Sequence, residues 1–150
     1  MELTKTTHIL LVFMCFYREY SRRKSISVRD IDAYLYYLNA LLSRKTIYRD
    51  IQFLKRAGVI QIQYSQSLKA YIPLGETYVP SDGKFAAPEL PGNRIQKQYM
   101  EKIIRLCTLV MQKDIWKNED NALIAWYREH YPMLSDRTRQ RDFDEIWRLR

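Results

Sequence analysis

The fold turns on one stretch, Ser43-Arg44-Lys45-Thr46-Ile47-Tyr48-Arg49-Asp50-Ile51. Ser43 is placed as an N-cap, since its hydroxyl can accept from a free N–H of the first turn. Behind it Ile47, Ile51 and Leu54 recur at i, i+4 and i+7, the spacing of one buried helix face, and Gly58 is placed to end the helix. Lys45, Arg49, Gln52 and Arg56 fall on the opposite side. Upstream, Ser27 with Asp30 three residues on reads as a second helix start, and Val28, Ile31, Leu35 and Leu38 follow at helical spacing. A brief turn, Asn39 to Leu42, joins the two helices. Thr4 to Tyr20, free of Gly and Pro, is a first helix, and Ser21 to Ser25 is a basic turn.

Downstream of Gly58 the period changes. Val59 to Tyr64 alternates in part, a polar Ser-Gln-Ser turn follows, and Leu68 to Pro73 is a second strand that Pro73 is expected to close. Three helices followed by a hairpin are the order of a winged helix-turn-helix, expected over residues 1–73. Residues 74–93 hold three of the five prolines and three of the four glycines and read as a linker. From Arg94 the chain is helical again, in segments Arg94–Lys113, Glu119–His130 and Asp136 onward.

This second set repeats the first at a constant offset of 92 residues. Ser43, Thr46, Arg49 and Asp50 match Ser135, Thr138, Arg141 and Asp142; Cys15 matches Cys107, Ala33 matches Ala125 and Leu42 matches Leu134. Helical periodicity alone fixes only apolar positions, so polar identities favour duplication over coincidence. The second copy, residues 94–150, reaches Arg150 before any counterpart of the hairpin. The expected fold class is therefore mainly α with a small β-hairpin wing, as tandem winged helix-turn-helix modules of which the second lacks its wing.

A net charge of +8 and a pI near 9.5 favour polyanionic partners, nucleic acid first and an anionic membrane second. The charge is uneven: residues 1–80 carry 12 Lys and Arg against 6 acids, and residues 81–150 carry 13 against 11. Arg can grip guanine and Gln adenine in bidentate contacts, which makes Arg49 and Gln52 the leading base readers. Lys45 and Arg56 suit bases or phosphates. Arg44, Thr46 and Tyr48 suit phosphates, and Lys69 and Tyr71 on the wing suit the adjacent backbone or minor groove. The plainer alternative is a solvated basic face with no ligand. Asp50 reads as structural, paired with a nearby Arg. In the second copy Arg137, Thr138, Arg139, Gln140 and Arg141 offer donors, but Arg139 stands where the first copy has Ile47, and Asp144 and Glu145 replace Gln52 and Phe53 on what would be the groove face. Acids there repel phosphate. The competing role for this copy is dimerisation, through the apolar stripe of Arg94–Lys113.

Ser43 to Ile51, with Leu54 and Ala57-Gly58, resembles the helix-turn-helix of DeoR-type and WYL-domain bacterial transcriptional regulators. The resemblance covers about Ser25 to Pro73, roughly a third of the chain. It implies a cytoplasmic repressor or activator with this helix in the major groove of duplex DNA. Neither a sugar-phosphate-sensing domain nor a WYL domain follows, so no effector is implied.

Other chemistry is poorly supplied. No P-loop, Gly-rich dinucleotide fingerprint or GxSxG is present, and the acids are dispersed, so no enzyme is expected. His8, Cys15, Cys107 and His130 lack metal-site spacing, and neither a metal nor another cofactor is expected. Both cysteines sit among apolar residues and read as buried free thiols of a cytoplasmic protein. The apolar run Ile9–Tyr17 is too short to span a membrane. Tyr34, Tyr36, Tyr37, Trp126 and Tyr127 are expected in core or interface packing. The expected function is a sequence-specific regulator binding duplex DNA as a homodimer. The alternatives are a plasmid or phage replication or architectural factor, and a protein-interaction module.

Overall fold

A computed structural model describes residues 3–20, 22–78, 92–117 and 119–149. The chain is mainly helical, 66%, with one two-stranded antiparallel sheet. In order it forms α1 (Lys5–Glu19), α2 (Val28–Tyr37), α3 (Arg44–Arg56), β1 (Ile60–Ser65), β2 (Ala70–Tyr78), α4 (Arg94–Trp116), α5 (Asp120–His130) and α6 (Asp136–Trp147).

The starts of α2 and α3 are set by the expected caps, Ser27 and Ser43. Ser43 Oγ accepts from the Thr46 N–H at 3.2 Å. Ser27 and Asp30 close a reciprocal capping box, with bonds of 3.2 and 2.8 Å. Thr4 accepts from the Thr7 N–H at the head of α1. Between α2 and α3 the backbone reverses through Asn39, at φ 55, and the Ala40 N–H returns to the Leu35 carbonyl. Asparagine tolerates this left-handed conformation better than most residues. Gly58, at φ 76, terminates α3 and turns the chain into β1.

The hairpin differs from expectation at its far end. Strand β2 does not close at Pro73 but runs to Tyr78, with Ile62 opposite Pro73 and a register shift between Ile60 and Ile62. Proline is tolerated where the ladder is irregular, because no N–H is required of it there. The expected linker thus loses its first residues to the strand, and 79–91 lie outside the described residues. A further pairing, Ile26 with Tyr71, ties the segment before α2 to the hairpin through backbone bonds of 2.9 and 2.7 Å.

Helix α1 is the centre of the molecule. Ile9 to Phe16 are all buried, with no polar side. A helix apolar all round must be covered all round. Here α2 and α3 cover it on one side and α4 on another. Thr6 Oγ1 lies 2.9 Å from Tyr99 Oη near one end, and Arg18 pairs with Asp114 near the other, so α1 and α4 run side by side in the same direction. Helix α4 in turn carries α5 and α6. One continuous apolar core results, from Ile9 through Leu54 to Ile103, Tyr127 and Ile146.

The 92-residue offset holds in the elements themselves. Helices α2 and α5 begin at Val28 and Asp120, and α3 and α6 at Arg44 and Asp136. The Ser135 cap on Thr138 N–H repeats the Ser43 cap. Asp50 and Asp142, equivalent positions, are both buried. Their partners differ. Asp142 accepts from Arg105 and from the Tyr127 hydroxyl, whereas Asp50 meets His8 Nδ1 at 2.6 Å and not the arginine expected of it. At the offset, Arg105 corresponds to Phe13 and His8 to Met100. The two buried aspartates thus tie α3 to α1, and α6 to α4 and α5, through different partners.

Candidate nucleic-acid interface

Helix α3 shows the division its sequence implies. Ile47, Asp50, Ile51 and Leu54 are buried, while Arg44, Lys45, Tyr48, Arg49, Gln52, Lys55 and Arg56 are exposed. The helix bears five basic side chains against one acid, and that acid, Asp50, is turned inward. Among the described residues Arg44 is the one base of α3 in an ion pair, with Asp32 at 3.7 Å, and both partners are well exposed. Such a pair contributes little and yields readily to a stronger anion. Lys45, Arg49 and Arg56 face solvent without a carboxylate within reach among the described residues. Lys55 and Arg56 also lie in the last turn, where cations favour the helix dipole, so part of their presence has a structural explanation.

Beside this face lies an open trough of about 980 Å³. One wall is α3, with Lys45, Arg49, Gln52 and Arg56; the other is the start of α1, with Lys5 and His8. Buried Asp50 is at the floor, where desolvation raises its pKa against the opposing pull of His8. Lys5 Nζ sits 5.0 Å over the Tyr99 ring, and Tyr99 packs edge-on against Phe53. The first turn of α1 and the side of α3 are thus fixed relative to each other by residues of α4. Composition gave no sign of Lys5 or His8 as site residues; the only hint was the unmatched His8 in the repeat.

Thr46 is half-buried, and its hydroxyl is 3.0 Å from Ser43 Oγ, so it helps cap the helix while lining the trough. Tyr48 is 44% exposed on the flank of α3. Lys69 is exposed at the hairpin turn with φ 51. Tyr71 departs from expectation: it is buried against Phe16 and Tyr64, and its backbone pairs with Ile26, so the wing offers Lys69 but not Tyr71. Tyr36 and Tyr37 lie outside the core, at 70% and 87% exposed, while Val28, Ile31 and Leu35 of the same helix are buried.

The equivalent face of α6 is different in kind. The whole helix carries three bases against four acids, of which Asp142 is buried. Arg137, Gln140 and Arg141 are exposed, but Gln140 donates to Asp144. Thr138 bonds the Ser135 hydroxyl. Arg139 is turned back on its own module: it pairs with Asp136 and donates to the carbonyls of Tyr131 and Pro132, leaving its side chain 11% exposed. Glu145, expected on the outer face, instead lies half-buried 3.9 Å from Lys102 of α4. Both corrections have one cause. Positions that hold Ile47 and Phe53 in the first copy point inward, and polar replacements there must find internal partners. The apolar stripe of α4, expected to mediate dimerisation, is buried within the chain, from Met100 to Met111.

Among the described residues no group of three or more His, Cys, Asp or Glu is arranged to hold a metal ion, and no helix is long and apolar enough to cross a membrane. Cys15 and Cys107 are free and buried, and burial pushes both thiols up, away from the reactive thiolate. Comparison with protein-family models, with curated proteins and with solved structures found no match to this chain.

Proposed function

We propose that the chain binds duplex DNA sequence-specifically as a transcriptional regulator, in the manner of a winged helix-turn-helix, with α3 in the major groove. The observation that carries this reading is the outward face of α3: Lys45, Arg49, Gln52 and Arg56 exposed, while the helix's single acid is buried. A capped helix fixed on its apolar side by α1 can offer that whole face to base edges. Arg49 and Gln52, at its middle, are the base readers; Lys45, Arg56, Arg44, Thr46 and Tyr48 hold phosphates, and Lys69 reaches the neighbouring backbone from the wing. Residues 94–150 are a second copy of the helical set whose outer face is partly taken up by internal pairing, so Arg137 and Arg141 serve at most as peripheral phosphate contacts.

Substitution of Arg49 and Gln52 by Ala is expected to abolish discrimination between specific and random DNA while leaving the helical signal and melting temperature close to wild type, since both side chains are exposed. Each bidentate contact contributes about 1–3 kcal/mol of discrimination. Unchanged specificity in a folded double variant would sink the assignment and favour a protein-interaction module.

A further inference from the structure

We propose that His8 and Lys5, at the start of α1, form a second, acid-enhanced phosphate clamp across the trough from α3. This rests on the DNA-binding reading and adds to it a contact that lies on neither the recognition helix nor the wing.

The geometry supplies the chemistry. His8 Nδ1 is 2.6 Å from Asp50 Oδ2, and Asp50 is 4% exposed. That contact fixes the ring so that Nδ1 faces the carboxylate and Nε2 is left for the trough that His8 lines. A ring with a proton on Nδ1 alone offers Nε2 as an acceptor, useless to phosphate; the protonated ring donates from both nitrogens. Buried Asp50 then balances the new positive charge from behind. Asp50 also lines the floor of the trough, but it is only 4% exposed and is engaged by His8, while Lys5, Lys45, Arg49 and Arg56 around it leave the site basic. Lys5 lies one turn earlier on the same helix and is held over Tyr99, which keeps its ammonium at the rim.

Among the described residues, the charged and titratable groups around this trough are Asp50, Lys45, Tyr48, Arg49 and Arg56 from α3, Lys5 from α1 itself, and Tyr99 from α4. A phosphate seated among these bases gains a donor from His8 only when the ring carries both protons, so binding and protonation of His8 reinforce each other. Affinity for DNA therefore rises as pH falls.

The test uses the full chain and a mixed-sequence DNA duplex of about two helical turns, since a phosphate contact needs no particular base. Affinity is measured against salt and between pH 8 and pH 6. Wild type is expected to bind more tightly at the lower pH. His8→Gln, which keeps size and polarity without the charge, is expected to flatten the pH profile and to lower the slope of log affinity against log salt by about one at pH 6. Lys5→Ala, at an exposed position, lowers the slope by about one at both pH values and leaves the pH profile in place. If wild type binds DNA but His8→Gln retains both slope and pH profile in a folded protein, the clamp is refuted. Failure of wild type to bind any duplex overturns instead the reading on which the clamp rests.

Discussion

Asp30 shows how one side chain joins local structure to pH. Its burial raises its pKa, but bonds from the Ser27 N–H and hydroxyl, together with the Arg23 guanidinium, outweigh that and leave it below the usual aspartate value. The cap is therefore fully effective above the unfolded-state pKa and weakens as pH falls through the lowered folded value. The melting-temperature gap between wild type and Asp30→Asn should be present at neutral pH and close on acidification toward pH 3; a gap that widens with acid would contradict this account. Gly58 makes a second residue-scale prediction. Its φ of 76 suits a residue without Cβ, so Gly58→Ala should cost about 1 kcal/mol in a denaturant titration. The caps and Gly58 were legible in the sequence because they act on backbone a few residues away. His8 with Asp50 was not, since 42 residues separate them and only the packing of α1 on α3 brings them together.

At the scale of elements, α1 is the helix whose loss the molecule tolerates least. Leu10 and Leu11 are fully buried beneath α3 and α4, so Leu11→Ala should destabilise by about 2–5 kcal/mol, read from urea unfolding. The helix positions could be read from the sequence because their apolar spacing repeats every three or four residues. The hairpin was less legible. Strand β2 continues past Pro73, and the lone pairing of Ile26 with Tyr71 is a single residue long, too short to leave any alternation. The same limit explains Tyr71. Its outward or inward side depends on register, and one residue of shift exchanges the two faces of a strand. On α6, charge alone suggested Arg139 as an outward donor and Glu145 as a groove-face acid, whereas both stand at positions, those of Ile47 and Phe53 in the first set, that turn inward.

At the scale of the whole molecule, the two helical sets pack on each other through their first helices, α1 and α4. Thr6 with Tyr99 and Arg18 with Asp114 align α1 and α4 in parallel, and the apolar face of α4 is spent on this contact and on α5 and α6. Among the described residues that face is not left open to a second copy of the chain. Sedimentation at micromolar concentration is accordingly expected to give a monomer near 18.2 kDa, in place of the homodimer that a helix-turn-helix sequence suggests. A stable dimer would show that another surface, with exposed Tyr36, Tyr37 and Leu41 the foremost, does the work assigned here to the internal copy. With a single basic reading helix per chain, the bound DNA element should be short and without two-fold symmetry. The most direct test of α3 as a sequence reader is selection from a random duplex library with the purified chain. Enrichment of one compact asymmetric motif, lost when Arg49 and Gln52 are replaced by Ala, is the predicted result; a library left unenriched by the folded wild-type protein would contradict it.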